Sequence, residues 1–284
     1  MSDEIPVESD LQAVKEWLLS IPNFEKRVGN SIRKSLDEVI DGARTGRWSI
    51  TDLEKTEKTY IGTKIEIVLR AELCLERGDK LDTKICGKEV DIKWSLTAAW
   101  MIPTECVGEI CLLVTADDQR SRFSVGLITA TKECLNTGTN KDDKATISKE
   151  GKKTIVWLVQ NGELPENFLL HLPPDVRERI LSCNSGQARV VSLFREVQNR
   201  IIPREVVQTL AQQDDSMKRV RDARKWLEEE NILILGGQEL SHKMLTEMHG
   251  LPLLQKGESL SFRIAPEPLL PEASFASDPK ETYK

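Results

Sequence analysis

The sequence predicts a mixed domain, α/β or α+β, followed by a mainly helical one. Three observations predict it. Apolar residues recur at helical spacing up to about residue 78, and then alternate with polar ones over Leu81 to Trp94. Runs rich in β-branched residues continue to about residue 159. After Asn161-Gly-Glu-Leu-Pro-Glu-Asn167, a turn-rich segment that reads as a linker, helical spacing returns, so the expected domains are 1–164 and 165–284.

In the first part, Leu11 to Ser20 forms an acidic, partly helical lead. From Asn30 to Gly42, Ile32, Leu36, Val39 and Ile40 define one helix face, with Gly42 as the expected C′ glycine. A loop with two arginines, Arg44-Thr-Gly-Arg-Trp48, and a Lys/Thr-rich stretch from Lys55 to Lys64 follow. Ile65, Val68, Leu69 and Leu73 mark an amphipathic helix between Gly62 and Gly78, with Gly78 as its stop. Leu81 to Ile85 and Lys88 to Trp94 alternate about Cys86-Gly87, the pattern of a β-hairpin. Gly108 to Ala116 and Arg122 to Ala130 are two more strands across the charged turn Asp117-Asp-Gln-Arg120. Asn136 to Lys153 is polar and reads as a surface loop, and Thr154 to Val159 as one further strand.

In the second part, Pro174 to Leu181, Gln187 to Gln198 and Pro203 to Gln212 are short helices, the last with Pro at its first position, where no N–H is needed. Asp214-Asp215-Ser216 supplies N-caps for a helix from Met217 to Glu229. Ile232 to Leu235, a Gly-Gly turn, and Leu260 to Ile264 are expected to pair. Three helices and a β-wing make a winged helix-turn-helix, and Pro266 onward reads as a tail.

The chain has 284 residues and a formal net charge of -6, with a sequence pI of about 5.4, which at face value argues against nucleic acid as a partner. Its longest uncharged stretch, Trp94 to Thr104, falls short of the about 18 apolar residues a membrane helix needs. The start is acidic, unlike a secretory or transit peptide, so a cytoplasmic protein is expected. Six cysteines include no C-x-x-C pair, which argues against a zinc site and for reduced, mostly buried thiols.

The chemistry concentrates in the hairpin. Asp91 and Lys93 share one face of a strand, because side chains alternate with period two. Asp82, across the Cys86-Gly87 turn, approaches Asp91, and two neighbouring carboxylates call for a cation. Oxygen ligands completed by substrate phosphate suit Mg²⁺. Glu66 on the preceding helix supplies a third carboxylate. Such a set suits phosphodiester hydrolysis, with the cation polarising the phosphate and Lys93 orienting water or offsetting charge. A D-x-K tripeptide also arises by chance on a solvated strand in a chain that is 30% charged.

Longer runs are more specific. Asp41-Gly-Ala-Arg-Thr-Gly-Arg-Trp48, Lys55-Thr-Glu-Lys-Thr59, Gly62-Thr-Lys-Ile-Glu66 and Glu89-Val-Asp-Ile-Lys93 resemble the NaeI-type restriction endonucleases, as do Ala211 to Arg221, Ile232-Leu-Ile-Leu-Gly236 and Gly250-Leu-Pro-Leu. The resemblance implies a PD-(D/E)xK nuclease core joined to a winged-helix domain similar to that of the CAP activator. It places the catalytic acids on Glu66, Asp82 and Asp91, the first-to-last also metal ligands, and the lysine on Lys93. It further implies Mg²⁺ as cofactor, a homodimer, double-stranded DNA in two copies, one cut and one activating, and a companion DNA methyltransferase. This chain is shorter than the family pattern between Leu181 and Gln187 and in its tail, and differs around Asp222 to Glu230.

Charge segregation fits that implication. From Arg189 to Lys225 nine basic residues face five acidic ones, leaving -10 on the remainder. Lys218, Arg221 or Asp222, and Lys225 share one helix face by i, i+3, i+7 spacing, with Arg219 and Arg224 beside it, while Val220, Ala223 and Leu227 face inward. With Arg204, these are the expected contacts of a recognition helix, although a solvated basic face has the same pattern. Arg44, Arg47, Lys55 and Lys58 form a second basic group expected to hold the scissile duplex, unless Arg47 and Trp48 simply pack a helix end. Two rival readings share these features: a nicking or repair nuclease on the same core, and a winged-helix regulator that does not cleave.

Overall fold

The computed structural model describes residues 7–213 and 216–264. The chain divides into two compact units at Glu178, with a short return of the first unit from Gln208.

The first unit begins with α1 (Val7–Ser20), α2 (Phe24–Ile40), the one-turn α3 (Gly42–Thr45) and α4 (Lys55–Glu72). Its strands are β1 (Glu76–Arg77), β2 (Thr83–Ile85), β3 (Lys88–Trp94), β4 (Met101–Ile102), β5 (Ile110–Asp117), β6 (Arg122–Thr129), β7 (Leu135–Thr139), β8 (Ala145–Ile147) and β9 (Val156–Glu163). A six-stranded mixed sheet has the order β1-β2-β3-β5-β6-β9, in which only β3 and β5 run parallel. A parallel pair needs a long crossover, and the segment between β3 and β5 carries β4 and a 3-10 turn at Thr104–Cys106.

The central strand β5 is buried on both faces, which is why Ile-Cys-Leu-Leu-Val reads as a continuous apolar run. Ile110, Leu112, Val114 and Ala116 pack beneath α2 and α4, against Ile32, Leu36, Ile61, Ile65 and Leu69. Cys111 and Leu113 point the other way, into a second core with Trp100, Ile102, Cys106 and Ile128.

Several expectations need correction. The left-handed residue ending α2 is Asp41 (φ 52°), so Gly42 is not the C′ glycine but opens α3. α4 starts at Lys55 rather than near Gly62, because Glu57 accepts the Glu54 N–H at 2.8 Å and caps the Lys/Thr-rich stretch. It ends at Glu72, before Gly78. Asn136 to Lys153 is not a bare loop: β7 and β8 join β4 in a three-stranded sheet. Asn161 to Asn167 is not a linker, since β9 continues to Glu163 and Leu164 enters the main core. Asn167 Nδ2 donates to Trp48 O (2.8 Å) and Asp118 Oδ2 (3.1 Å), tying this segment into the first unit. Of the six cysteines, all free, only Cys106 and Cys111 are buried.

α5 (Pro174–Leu181) spans the division. Beyond it lie α6 (Gly186–Glu196), β10 (Ile202–Pro203), α7 (Arg204–Ala211), α8 (Met217–Glu228), β11 (Ile232–Gly236), α9 (Leu240–Met248) and β12 (Glu258–Arg263). The expected pairing of β11 with β12 is present, Leu233 opposite Phe262, and β10 extends it to the order β10-β12-β11. Pro203 therefore sits in a strand, not at a helix start. Val220, Ala223 and Leu227 are the buried face of α8, as their spacing predicts. Ser216 stands at its N-cap without a side-chain capping bond, while Asp214, Asp215 and the tail from Pro266 lie outside the described residues.

Candidate active site

The site is built on the β2–β3 hairpin. Its two-residue turn, Cys86-Gly87, has positive φ at both positions (52° and 74°), the backbone whose twist matches the flanking strands. Register follows: Thr83 opposite Val90 and Ile85 opposite Lys88. That pairing brings Asp82, just before β2, opposite Asp91.

Along β3, Val90 and Ile92 enter the helix-covered core. Asp91 and Lys93 therefore share the opposite face, where Asp91 lies beside Cys111 of β5. Asp91 is 3% exposed. Its Oδ2 forms an ion pair with Lys93 Nζ and also accepts the Cys106 thiol at 3.0 Å. Asp82 Oδ2 accepts the Ile92 N–H at 2.7 Å.

The electrostatics follow from crowding acids in a partly desolvated place. Burial, and then a hydrogen bond with Asp91, push the Asp82 carboxyl up to about 7; the Ile92 N–H opposes this, and the charges of Asp91 and Glu66 add to it. Burial pulls Lys93 down, but the bond and charge of Asp91 outweigh it and hold the ammonium above its ordinary value. Burial also pushes Cys111 up to about 12, and Cys106 higher than an ordinary thiol.

Glu66 reaches this group from α4. Its Oε1 accepts from Arg70 at 3.1 Å, and the same guanidinium nitrogen donates to Asp82 O at 2.9 Å. Arg70 thus ties Glu66 to the backbone that carries Asp82. Glu89 fixes the approach to Asp82 from the other side. Its carboxylate accepts from the N–H groups of Asp79 (3.0 Å), Lys80 (3.1 Å) and Leu81 (2.8 Å). The Leu81 and Asp79 donors hold Glu89 down at about 2. Gly78 permits that wrap, because a Cβ there would lie 2.3 Å from Leu81 O and 2.7 Å from Glu89 Oε2. Sequence reasoning missed Arg70, Glu89 and Cys106 as supports. Only Arg70 left a signal, its i,i+4 spacing from Glu66.

Asp82, Asp91 and Lys93 are thus brought together, with Glu66 linked through Arg70. Among the described residues, no three His, Cys, Asp or Glu side chains form a ready-made metal cage. The donors that do meet are carboxylate oxygens carrying mutual repulsion. They fit a hard cation that takes one or two carboxylates and fills its remaining positions with water and phosphate.

The basic residues divide into exposed and internally engaged. Lys218, Arg221 and Lys225 are exposed along α8, beside Trp226. Arg224 instead donates to Ile234 O (3.0 Å) and Glu239 (3.1 Å), and Arg219 is half-buried. Arg204 is exposed at the start of α7, in a cavity of about 370 Å³ with Lys256. Near the first site, Arg44 pairs with Asp41 but stays exposed, and Lys55 is exposed on the first turn of α4 with Lys58 half-buried. Arg47 binds Glu57 through two nitrogens (3.0 and 2.9 Å) and Ile40 O at 3.2 Å, so it closes the end of α2. No helix among the described residues is long and apolar enough to cross a membrane.

A family model described as restriction endonuclease NaeI matches residues 14–270. A type II restriction enzyme NaeI from Lentzea aerocolonigenes is 42% identical over 270 residues, which cover 91% of this chain and 84% of that protein.

Proposed function

The chain belongs to the NaeI restriction endonuclease family, and on that premise we propose that Asp82, Asp91 and Lys93, with Glu66, form its Mg²⁺-dependent cleavage centre. It is a type II restriction endonuclease, a hydrolase that cuts DNA at a specific sequence. The observation that carries the proposal is the pairing of two carboxylates, Asp82 and Asp91, with a lysine held on one of them.

Asp82 and Asp91 hold the cation, and Glu66 contributes negative charge from α4. Mg²⁺ bound there supplies a Lewis acid for the scissile phosphate and a water of lowered pKa. Lys93, tethered to Asp91, orients the attacking water and offsets charge that develops on the phosphate. Arg70 and Glu89 keep Asp82 in place. The products expected from water attack are a 5′-phosphate and a 3′-hydroxyl, and the core is read as PD-(D/E)xK.

The second unit is read as a winged-helix DNA-binding domain. The chain order α6, β10, α7, α8, β11, β12, with β12 between β10 and β11, supports this, although α7 from Gln208 on groups with the first unit, and α9 is an insertion between the two wing strands. Lys218, Arg221 and Lys225 on α8 face solvent, where phosphates and base edges are reached. Arg204, Arg219 and Arg224 flank or brace that surface, and Arg44, Lys55 and Lys58 are assigned to the cleaved duplex, while Arg47, engaged with Glu57 and Ile40 O, braces the end of α2 beside them. A homodimer, a second activating DNA copy and a companion methyltransferase complete the proposal.

The test is digestion of a complex plasmid with Mg²⁺ and sequencing of the ends, for the wild type, Asp91→Ala and Lys93→Ala. Discrete ends that both variants lose support the assignment. Equal cutting by the variants refutes it.

A further inference from the structure

We propose that Cys106 is a positioning residue, whose thiol fixes the orientation of the Asp91 carboxylate. The inference rests on the reading of Asp91 as a cation ligand.

Cys106 closes the 3-10 turn in the crossover from β3 to β5, and the Pro103 carbonyl accepts its N–H at 3.0 Å. It is 1% exposed and packs among Trp100, Ile102 and Cys111, so its side chain has little room to turn. A carboxylate only accepts, so in the 3.0 Å contact the thiol donates to Asp91 Oδ2. Lys93 is on that same oxygen from the strand itself. Two donors from different parts of the chain therefore converge on Oδ2, one local and one from the crossover. Lys93, on a long flexible stem, and Asp82, which also shares a hydrogen bond with Asp91, both belong to the hairpin and leave the carboxylate some freedom to rotate about its last bond. The second donor, on a short and packed side chain, removes that freedom and leaves Oδ1 as the oxygen not taken by Lys93 or Cys106. A ligand held in one rotamer binds a cation without first losing side-chain entropy, and outer partners of this kind are worth about 10-fold to 100-fold in metal affinity.

The crossover is thus part of the centre: it joins β3 to its parallel neighbour and carries the group that aims the acid of β3.

The experiment measures Mn²⁺ binding to the full-length protein by its electron paramagnetic resonance signal, for the wild type, Cys106→Ala, Cys106→Ser and Asp91→Asn, with thermal unfolding of each. Cys106→Ala is expected to weaken Mn²⁺ binding about 10-fold. Cys106→Ser, which keeps a donor, is expected to stay within about 3-fold of the wild type. An infrared difference spectrum against Cys106→Ser should show an S–H stretch lowered by its hydrogen bond, and that band should be displaced in Asp91→Asn. Wild-type affinity in Cys106→Ala overturns the proposal, as does equal weakening by Ser and Ala, which assigns Cys106 to packing alone. Wild-type Mn²⁺ binding by Asp91→Asn overturns instead the reading of Asp91 as a ligand.

Discussion

The hairpin of the first unit and helix α8 of the second both carry charge, but they hold it in opposite ways. Asp91 is 3% exposed and has a lysine and a thiol on one oxygen, and Asp82 is raised to about 7 by burial and its neighbour. Lys218, Arg221 and Lys225 stand in water on a helix whose other face, Val220, Ala223 and Leu227, is fully packed. A buried charge acts through few, fixed contacts, and its removal is close to all-or-none. Exposed charges act in parallel, screened by salt, and each contributes a share. One arrangement suits chemistry at a single phosphodiester bond, the other suits holding a long polyanion.

The largest expected effect lies in the hairpin. Asp91→Ala or Lys93→Ala should lower the cleavage rate by about 10³-fold, while affinity for DNA in Ca²⁺, followed by gel shift, stays close to that of the wild type. If either variant loses binding and cleavage in parallel, the two regions do not divide the work as argued.

Next is the support of Asp82. Glu89→Gln and Gly78→Ala both disturb the wrap of Asp79, Lys80 and Leu81 about the Glu89 carboxylate. Each should raise the Mg²⁺ concentration for half-maximal cleavage by about 10-fold. Unchanged Mg²⁺ dependence would remove Glu89 from the account.

The pH dependence of stability separates the regions without DNA. Asp82 moves from an ordinary 3.8 to about 7 on folding, so the folded protein holds the extra proton between those values. Its contribution is complete below 3.8 and is lost as pH rises through about 7. Without metal, the melting temperature should therefore fall from pH 5 to pH 8 more steeply in the wild type than in Asp82→Asn. Saturating Mg²⁺ should flatten the wild-type slope. Identical slopes for wild type and Asp82→Asn would contradict the crowding of acids in the hairpin.

The smallest effects belong to α8. Lys218→Ala, Arg221→Ala and Lys225→Ala should each weaken DNA binding a few-fold and lower the salt slope of the affinity by about 1. A single variant that abolishes binding would make α8 resemble the hairpin and collapse the contrast.

How much of this was legible in the sequence follows the same divide. Period-two alternation and the Cys86-Gly87 turn gave the hairpin, its register and the shared face of Asp91 and Lys93. Helical spacing gave the buried stripe of α8. What escaped has physical reasons. β7 is exposed along nearly its whole length, so no alternation marks it within a polar stretch. α4 begins on a glutamate pair, Glu54 and Glu57, where a Ser or Thr cap is the usual signal. Asn161 to Asn167 has the composition of a linker, yet Leu164 and Asn167 fasten it to the first unit through tertiary contacts alone. α9 did carry a signal, Leu240, Met244 and Met248 at helical spacing, although that face is exposed and builds no core. Among the site's supports, Cys106 and Glu89 act through contacts that spacing does not encode.

The proposed cleavage centre turns on Asp82 and Asp91 as the residues that would hold a divalent cation. The most direct measurement replaces Mg²⁺ with Fe²⁺ and, with ascorbate and peroxide, maps where hydroxyl radicals cut the polypeptide. Cuts beside residues 82 and 91, suppressed by excess Mg²⁺ and absent in Asp91→Asn, are the predicted result; cuts confined to other segments, or unchanged in Asp91→Asn, would contradict it.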